Sequence, residues 1–309
     1  MLQKLKDYLV GLGPDNRITQ TALSLHAHRQ GFKINFDDPG RIWLEQGERR
    51  LALARRDLTF VPIMMECFSL MFDGIVSTNV EGRHELDFSQ PAFHTYRRSE
   101  MGFYFPSIPE EDPLDQYTYW YKPQPGDIIW DAGAYAGATT CLLARMVGPS
   151  GRVYAFEPDD LNYAYLTKNI AHHGITNVIP VRKALSGTTG FTTFFMGGTM
   201  ASGIRDFVVY SDTKQNRQVP TISMEDACNE LGCVPTYVKM DIEGAELAFV
   251  EGAKGFLKLH PVHFAIESYH RVNGEYTYKK LDPIFEEIGY QHLSSNLFKQ
   301  MFTWAKPNL

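Results

Sequence analysis

The stretch Gly126 to Gly137 constrains this chain more than any other. It reads Gly126-Asp-Ile-Ile-Trp-Asp131-Ala-Gly133-Ala-Tyr-Ala-Gly137, and Ala138 to Val147 then read as a helix. Asp127 to Trp130 are apolar and opened by a Gly-Asp turn, which predicts a buried strand. A strand that ends on an acid, crosses a loop of small residues and enters a helix is how a doubly wound sheet presents a nucleotide-like ligand. Glycines let the backbone approach, and the helix N-terminus supplies free N–H groups.

The residues inside the stretch separate two ligand classes. A dinucleotide fingerprint needs G-x-G-x-x-G. From Gly133 the chain reads Gly-Ala-Tyr-Ala-Gly-Ala, so the second glycine is missing. A carboxylate at Asp131 would repel a pyrophosphate. It suits a cationic amine, such as that of S-adenosylmethionine. Glu157 ends the next strand, where an acid can accept both ribose hydroxyls. An NAD-dependent oxidoreductase on a Rossmann-like fold is the alternative, and Asp131 and the missing glycine count against it. A non-catalytic cofactor-binding module is another, since fold alone does not establish catalysis. A plain strand–turn–helix with surface acids is the blandest.

Three segments carry a family resemblance. Asp131 to Gly137 resembles motif I of class I S-adenosylmethionine-dependent methyltransferases, and Phe156-Glu157-Pro158 resembles their second motif. Val238-Lys-Met-Asp241-Ile-Glu243-Gly-Ala-Glu246 is similar to the signature of the FkbM-type family within that class. Tyr135 stands where many members of the class carry a glycine, and FkbM-type proteins commonly have a larger residue there. The resemblance runs from about Tyr96 to the C-terminus. It implies a Rossmann-like methyltransferase fold, a doubly wound, seven-stranded and mostly parallel sheet that closes on a reversed hairpin. It also implies S-adenosyl-L-methionine as cofactor, with Asp131, Gly133, Ala134, Tyr135, Gly137, Thr139, Glu157, Pro158, Lys183 and Ala184 as its contacts. The expected reaction is O-methylation of a sugar, glycan or secondary-metabolite hydroxyl.

Along the chain, residues 1–118 form an N-terminal α+β extension and residues 119–309 the methyltransferase domain. Arg41 to Ala54 read as a hairpin turning at Gln46-Gly47, followed by a helix from Leu58 to Phe72. Phe103, Tyr104, Phe105, Tyr117, Tyr119, Trp120 and Tyr121 read first as core packing, with an acceptor pocket as the alternative. From about Gln116, strands and helices alternate, which argues for a parallel sheet covered by helices. Arg152 to Phe156 form the second strand, and Asp159 and Asp160 open its helix. Val178 to Leu185 are expected as one third strand, with Lys183, Ala184 and Ser186 at its ligand end. Thr236 to Met240 lead to Asp241, and Val262 to Ile266 lead to Glu267. Tyr290 to Ala305 are expected as a final strand pair turning at Ser294-Ser295-Asn296. The loop from Gly197 to Asn216 is either a lid or an idle insertion. With the N-terminal region, it is expected to cover the acceptor.

The net charge of −6 argues against a nucleic-acid partner. The strand-four end reads Asp241-Ile-Glu243-Gly244, not the Asn- or Asp-Pro-Pro-aromatic sequence usual in base methyltransferases. Cys67, Cys141, Cys228 and Cys233 form no C-x-x-C pair, which fits reduced thiols and a cytoplasmic setting. Leu2, Leu5 and Leu9 are spaced for a helix face and not for a signal peptide. The longest apolar run, Phe60 to Phe72, carries Glu66 and is too short to span a membrane.

An alcohol is a poor nucleophile until its proton leaves, so hydroxyl methylation calls for a base. Asp241 is the first choice, His270 the second, and Glu267 the remaining acid at the strand ends. A divalent metal held by Asp241 and Glu267 would serve equally by lowering the hydroxyl pKa. Glu246 reads as an acid favoured at a helix start. The expected partner is a small-molecule or glycan acceptor.

Overall fold

The computed structural model describes residues 15–110, 114–204, 215–298 and 300–308. The helix face of Leu2, Leu5 and Leu9 lies outside them, as do residues 205–214 of the expected lid. The chain forms two compact units, Met1–Asp112 and Pro113–Leu309.

In the first unit, helix α1 (Arg17–Arg29) starts where Asn16 Oδ1 accepts the N–H of Ile18 at 2.9 Å. Strands β1 (Lys33–Asn35), β2 (Arg41–Gln46) and β3 (Arg49–Ala54) follow. A 3₁₀ turn (Arg55–Phe60) leads into α2 (Val61–Gly74), where Pro62 sits in the first turn and its missing N–H costs nothing. Then come β4 (Thr78–Val80), β5 (Arg83–Phe88), β6 (Ala92–Thr95) and β7 (Gly102–Phe105). The first five strands form one sheet in the order β1-β2-β3-β5-β4. The β2–β3 hairpin forms as its alternation requires, with Ile42 opposite Leu53 and Leu44 opposite Leu51, all four buried. Phe103 and Phe105 are buried and edge-pack on Tyr96, so these aromatics are core.

The second unit opens with α3 (Leu114–Thr118), then β8 (Ile128–Ala132), α4 (Ala138–Val147), β9 (Arg152–Phe156), α5 (Asp160–His172) and β10 (Val178–Val181). Strands β11 (Ala184–Leu185), β12 (Gly190–Phe195), β13 (Gly203–Ile204) and β14 (Asn216–Ile222) form a separate small sheet. The main sheet resumes through α5's counterparts on the other side: α6 (Met224–Leu231), β15 (Tyr237–Met240), α7 (Glu246–Leu257) and β16 (His263–Glu267). A two-residue ribbon, β17 (Arg271–Val272) with β18 (Glu275–Tyr276), precedes α8 (Tyr278–Glu287), β19 (Tyr290–Phe298) and β20 (Gln300–Pro307). The seven-stranded order is β10-β9-β8-β15-β16-β20-β19. The first five of these run parallel, and β20 is antiparallel to both its neighbours.

Each central strand is buried on both faces. Trp130, Phe156, Val238 and Ile266 pack with Phe249, Val250 and Phe285 of α7 and α8. On the other face Ile129, Val153, Tyr237 and Ala265 pack with Tyr117, Leu143 and Leu166 of α3, α4 and α5. The strand alternation therefore decides which face receives Asp131, Lys239 and Glu267: the second one.

Two expected elements form differently. The third strand ends at Val181, and Ala184-Leu185 pair instead with Thr221-Ile222 of β14. The adjacent cations Arg182 and Lys183 pair with Asp160 and Glu230, acids of α5 and α6. The last turn lies at Phe298–Gln300, not at Ser294-Ser295-Asn296. Ser294 stays opposite Thr303 because its hydroxyl lies 2.6 Å from both Asp282 Oδ1 and Thr303 Oγ1, and a register shift follows Ser295. The four cysteines are free. Among the described residues no helix is long and apolar enough to cross a membrane.

Candidate active site

The strand order reverses between β8 and β15, and a ligand crevice opens at the carboxyl ends of strands at such a switch point. The loop after β8 is shaped by close approach. A Cβ on Gly133 (φ +76°) would fall 1.8 Å from the carbonyl oxygen of Asp241, so only glycine fits beside the exit of β15. Gly133 and Ala134 both donate their N–H groups to Phe156 O at 3.1 Å, which fixes the loop to β9. Tyr135 holds a left-handed φ of 48°, a conformation free of cost for the glycine common at this place. Its N–H donates to Glu157 Oε2 at 2.9 Å, and the N–H of Asp159 donates to Glu157 Oε1 at 2.8 Å.

Glu157 thus supports the loop from one side and lines a recess on the other. The recess is narrow and opens to solvent. It brings together Gly133, Glu157, Pro158, Lys183 and Ala184 from the expected cofactor set, and adds Asp241, Ile242, Phe194 and Ser202. Burial pushes the Glu157 carboxyl up to about 8, the charge of Asp159 adds to this, and the two backbone N–H groups oppose it.

The remaining expected contacts lie outside that lining. Asp131 is fully buried: Lys239 Nζ lies 3.1 Å from its Oδ1, and Thr140 Oγ1 donates to its Oδ2 at 2.5 Å. Asp131 and Lys239 are direct cross-strand partners, so the acid expected to meet a ligand amine is matched by an internal cation. Ala134, Tyr135 and Gly137 form the loop behind the recess, and Thr139 is buried inside α4. Lys183 lines the recess while its ammonium pairs with Glu230 at 2.5 Å. The described part of the expected lid is anchored. Asp159 Oδ2 accepts from Gly198 N–H at 3.0 Å and Ser202 Oγ at 2.9 Å, and Asn162 donates to Thr199 O at 3.0 Å.

A second charged group sits beyond the ends of β15 and β16. His270 Nε2 lies 3.7 Å from Asp241 Oδ1 and 3.6 Å from Glu243 Oε2. On the other side of the ring, Nδ1 lies 3.1 Å from Glu246 Oε1, which also accepts the N–H groups of Ile242 and Gly244. Burial alone would lower the His270 pKa, but Glu246, then Glu243 and Asp241, hold it well above the usual 6.5. The acids around the ring favour its protonated form. Burial, opposed by His270 and Lys239, leaves the Asp241 carboxyl raised. Glu267 accepts a hydrogen bond from the Tyr117 hydroxyl, and burial, then the charge of Asp241, pushes its carboxyl up to about 8. Asp241, Glu243 and His270 bring donor atoms within 4.8 Å of one another, while Asp241 and Glu267 were the pair expected from the sequence.

Sequence reasoning did not single out Lys239, Tyr117 or Glu243, and it gave Glu246 only half its role. Lys239 donates to Gly133 O at 2.7 Å and sits 5.3 Å from the Tyr117 ring, so it locks the loop after β8. A lone lysine within the buried run Tyr-Val-Lys-Met was the available signal, because such a charge needs an internal partner.

Comparison with known proteins places this geometry. A family model described as the methyltransferase FkbM domain matches residues 131–292. The hexuronic acid methyltransferase AglP of Haloferax volcanii is 31% identical over 146 residues, which cover 47% of this chain and 56% of AglP. The protein-L-isoaspartate O-methyltransferase of Aeropyrum pernix is 41% identical over 59 residues, covering 19% of this chain and 23% of that protein. The chain therefore spans about half or less of the length of these curated relatives. Among solved structures, the methyltransferase FkbM of Methylobacillus flagellatus KT superposes with a TM-score of 0.46 at 19% identity, covering 61% of this chain and 45% of that one.

Proposed function

The chain belongs to the FkbM methyltransferase family, and from that membership we propose that it methylates a hydroxyl of a sugar or glycan with S-adenosylmethionine as donor. The observation that carries this reading is the recess at the carboxyl ends of β8, β9 and β15, with Glu157 and Asp241 on its wall. Its residues fit the donor. Glu157 is 4% exposed and each of its oxygens accepts one backbone N–H, which leaves a lone pair on each for a ribose hydroxyl. Asp241 supplies negative charge on the same wall for a sulfonium or an amine. When bound, S-adenosylmethionine supplies a methyl group on a positively charged sulfur.

The chain's own residues position the acceptor and take up its proton. As the hydroxyl oxygen gains the methyl group it must lose its hydrogen, and Asp241 is the carboxylate assigned to accept it. Its raised pKa suits that task, because a proton acceptor works best when its pKa lies closer to the working pH. His270 opposes the burial that raises Asp241, and the charge of Asp241 in turn helps raise Glu267. The name of the Haloferax volcanii relative, a hexuronic acid methyltransferase, supports a sugar acceptor.

Purified protein incubated with methyl-labelled S-adenosylmethionine and a panel of glycans tests the reading. Label is expected in an acceptor hydroxyl, with uronic-acid-containing glycans the first to try. Tight binding of the donor with no transfer to any acceptor would point instead to a non-catalytic cofactor-binding module.

A further inference from the structure

We propose that Asp241, Glu243 and His270 form a binding site for a first-row divalent cation, which presents open coordination positions to adjacent oxygens of the acceptor. The proposal deepens the methyl-transfer reading and, in its acceptor half, rests on it. The site itself rests on this chain's geometry.

The three side chains converge without bonding to one another. Asp241 Oδ1 and His270 Nε2 are both buried and, among the described residues, without a hydrogen-bond partner. The His270 side chain is 8% exposed, so bulk water does not satisfy it. The separations of 3.6 and 3.7 Å from Nε2 to the two carboxylates are too long for hydrogen bonds. They are close to what a shared cation requires. Ligand atoms each about 2.1 Å from a metal stand about 3.0–3.4 Å apart, so the histidine needs to approach each carboxylate by only tenths of an ångström, and the three donor atoms already lie within 4.8 Å of one another.

The far side of the ring completes the case. Glu246 Oε1 lies 3.1 Å from His270 Nδ1, and Glu246 is itself fully buried and held by the N–H groups of Ile242 and Gly244. That carboxylate holds its side of the ring by charge, which leaves the other nitrogen to face a metal. Glu243 reaches its place only through a left-handed φ of 55°, a conformation that a non-glycine residue holds at a cost. Two carboxylates and a neutral imidazole balance a dication. Mixed oxygen and nitrogen donors suit a first-row ion better than Mg²⁺, which favours oxygen alone.

Three protein ligands leave coordination positions open, as catalytic metal sites do. Asp241 belongs both to this group and to the wall of the recess, so the cation lies at the donor's edge. An acceptor that offers two neighbouring oxygens, as a vicinal diol or a hydroxy acid does, would chelate there. The metal would lower the pKa of the bound hydroxyl, and Asp241, ligating through Oδ1, keeps its second oxygen for the proton.

Mn²⁺ alone provides the test, with no donor or acceptor present. Titrated into the full chain and followed by the loss of the free-ion EPR signal, one Mn²⁺ per chain is expected to bind. Asp241→Asn and His270→Ala should each weaken it tenfold or more. Glu243→Gln, at a partly exposed loop position that keeps its shape, should do the same. Glu246→Gln should weaken it about 10–100-fold while the protein stays folded by circular dichroism. A wild type that takes up neither Mn²⁺ nor Zn²⁺, or variants that bind as tightly as the wild type, would overturn the site. S-adenosylmethionine binding, titrated separately into metal-free protein, reports on the donor reading by itself, so failure of one is not mistaken for failure of the other.

Discussion

Lys239 in β15 and Asp241 just past its end, one alternation apart, belong to opposite kinds of charged group. Lys239 is 1% exposed and faces a single acid, Asp131, at 3.1 Å in direct cross-strand register. Asp241 is partly exposed and shares one histidine with Glu243 and Glu246, at separations up to 3.7 Å. The inner group is balanced, one charge against one, and its cation also clamps the carbonyl of Gly133. The outer group has more acids than cations, and four of its buried atoms, Asp241 Oδ1, Glu246 Oε2 and both His270 ring nitrogens, have no hydrogen bond among the described residues. A closed pair fixes the loop; an open group at the strand end is where a ligand can complete the bonding. The difference is set by burial. Inside the sheet an unmatched charge costs several kcal/mol, roughly 3–5 when one partner of a buried pair is removed. At the crevice mouth, a ligand can supply the match.

Breaking each group should therefore do different damage. The largest effect is expected outside. Asp241→Asn should lose about 10²–10⁴-fold in turnover, the usual share of general acid–base catalysis, with a far smaller loss of donor affinity and a melting point like that of the wild type. Steady-state rates with isothermal titration of the donor check it. Full turnover in this variant would show that positioning alone, or Glu267, carries the step.

Inside, the effect should fall on stability. Lys239→Met leaves Asp131 buried against Thr140 alone and is expected to cost about 3–5 kcal/mol in denaturant unfolding. Adding Asp131→Asn should recover part of that loss, because it removes the stranded charge. A single variant as stable as the wild type would erase the distinction between the two groups.

Much of this was legible along the chain. The motif around Gly133 and Gly137 spoke through residue size, and the acids Asp131, Glu157, Asp241 and Glu267 through their places at the ends of apolar runs. What stayed hidden depended on contacts between distant segments. The pairing of Lys239 with Asp131 needs the register of β15 on β8, which no local pattern encodes. The same holds for His270 and Glu246, brought together from β16's exit and α7's start. Asp131 was expected at the ligand because it ends an apolar run, and the structure sets it beside an internal cation, Lys239 of the neighbouring strand. The early end of the third strand was hidden in the same way: Ala184 and Leu185 pair with Thr221 and Ile222 of β14, a partner far along the chain.

The smallest expected effect bears most directly on the account, because it concerns the donor recess itself. Calorimetry with S-adenosylhomocysteine, the demethylated product, should show micromolar-scale binding by the wild type and about tenfold or weaker binding by Glu157→Ala, since each charge-assisted hydrogen bond is worth roughly 1.5–3 kcal/mol. The pH dependence sharpens it. Ribose hydroxyls donate to the ionised carboxylate, whose pKa burial raises from 4.5 to about 8. Affinity should therefore rise as the pH climbs toward 8 and level off above it, and Glu157→Ala should abolish that rise. Without ligand the sign reverses: a raised carboxyl favours the folded state below its unfolded pKa, and that contribution is lost as the pH rises through about 8. Binding of NAD, no binding of S-adenosylhomocysteine, or an affinity unchanged by Glu157→Ala would contradict the account.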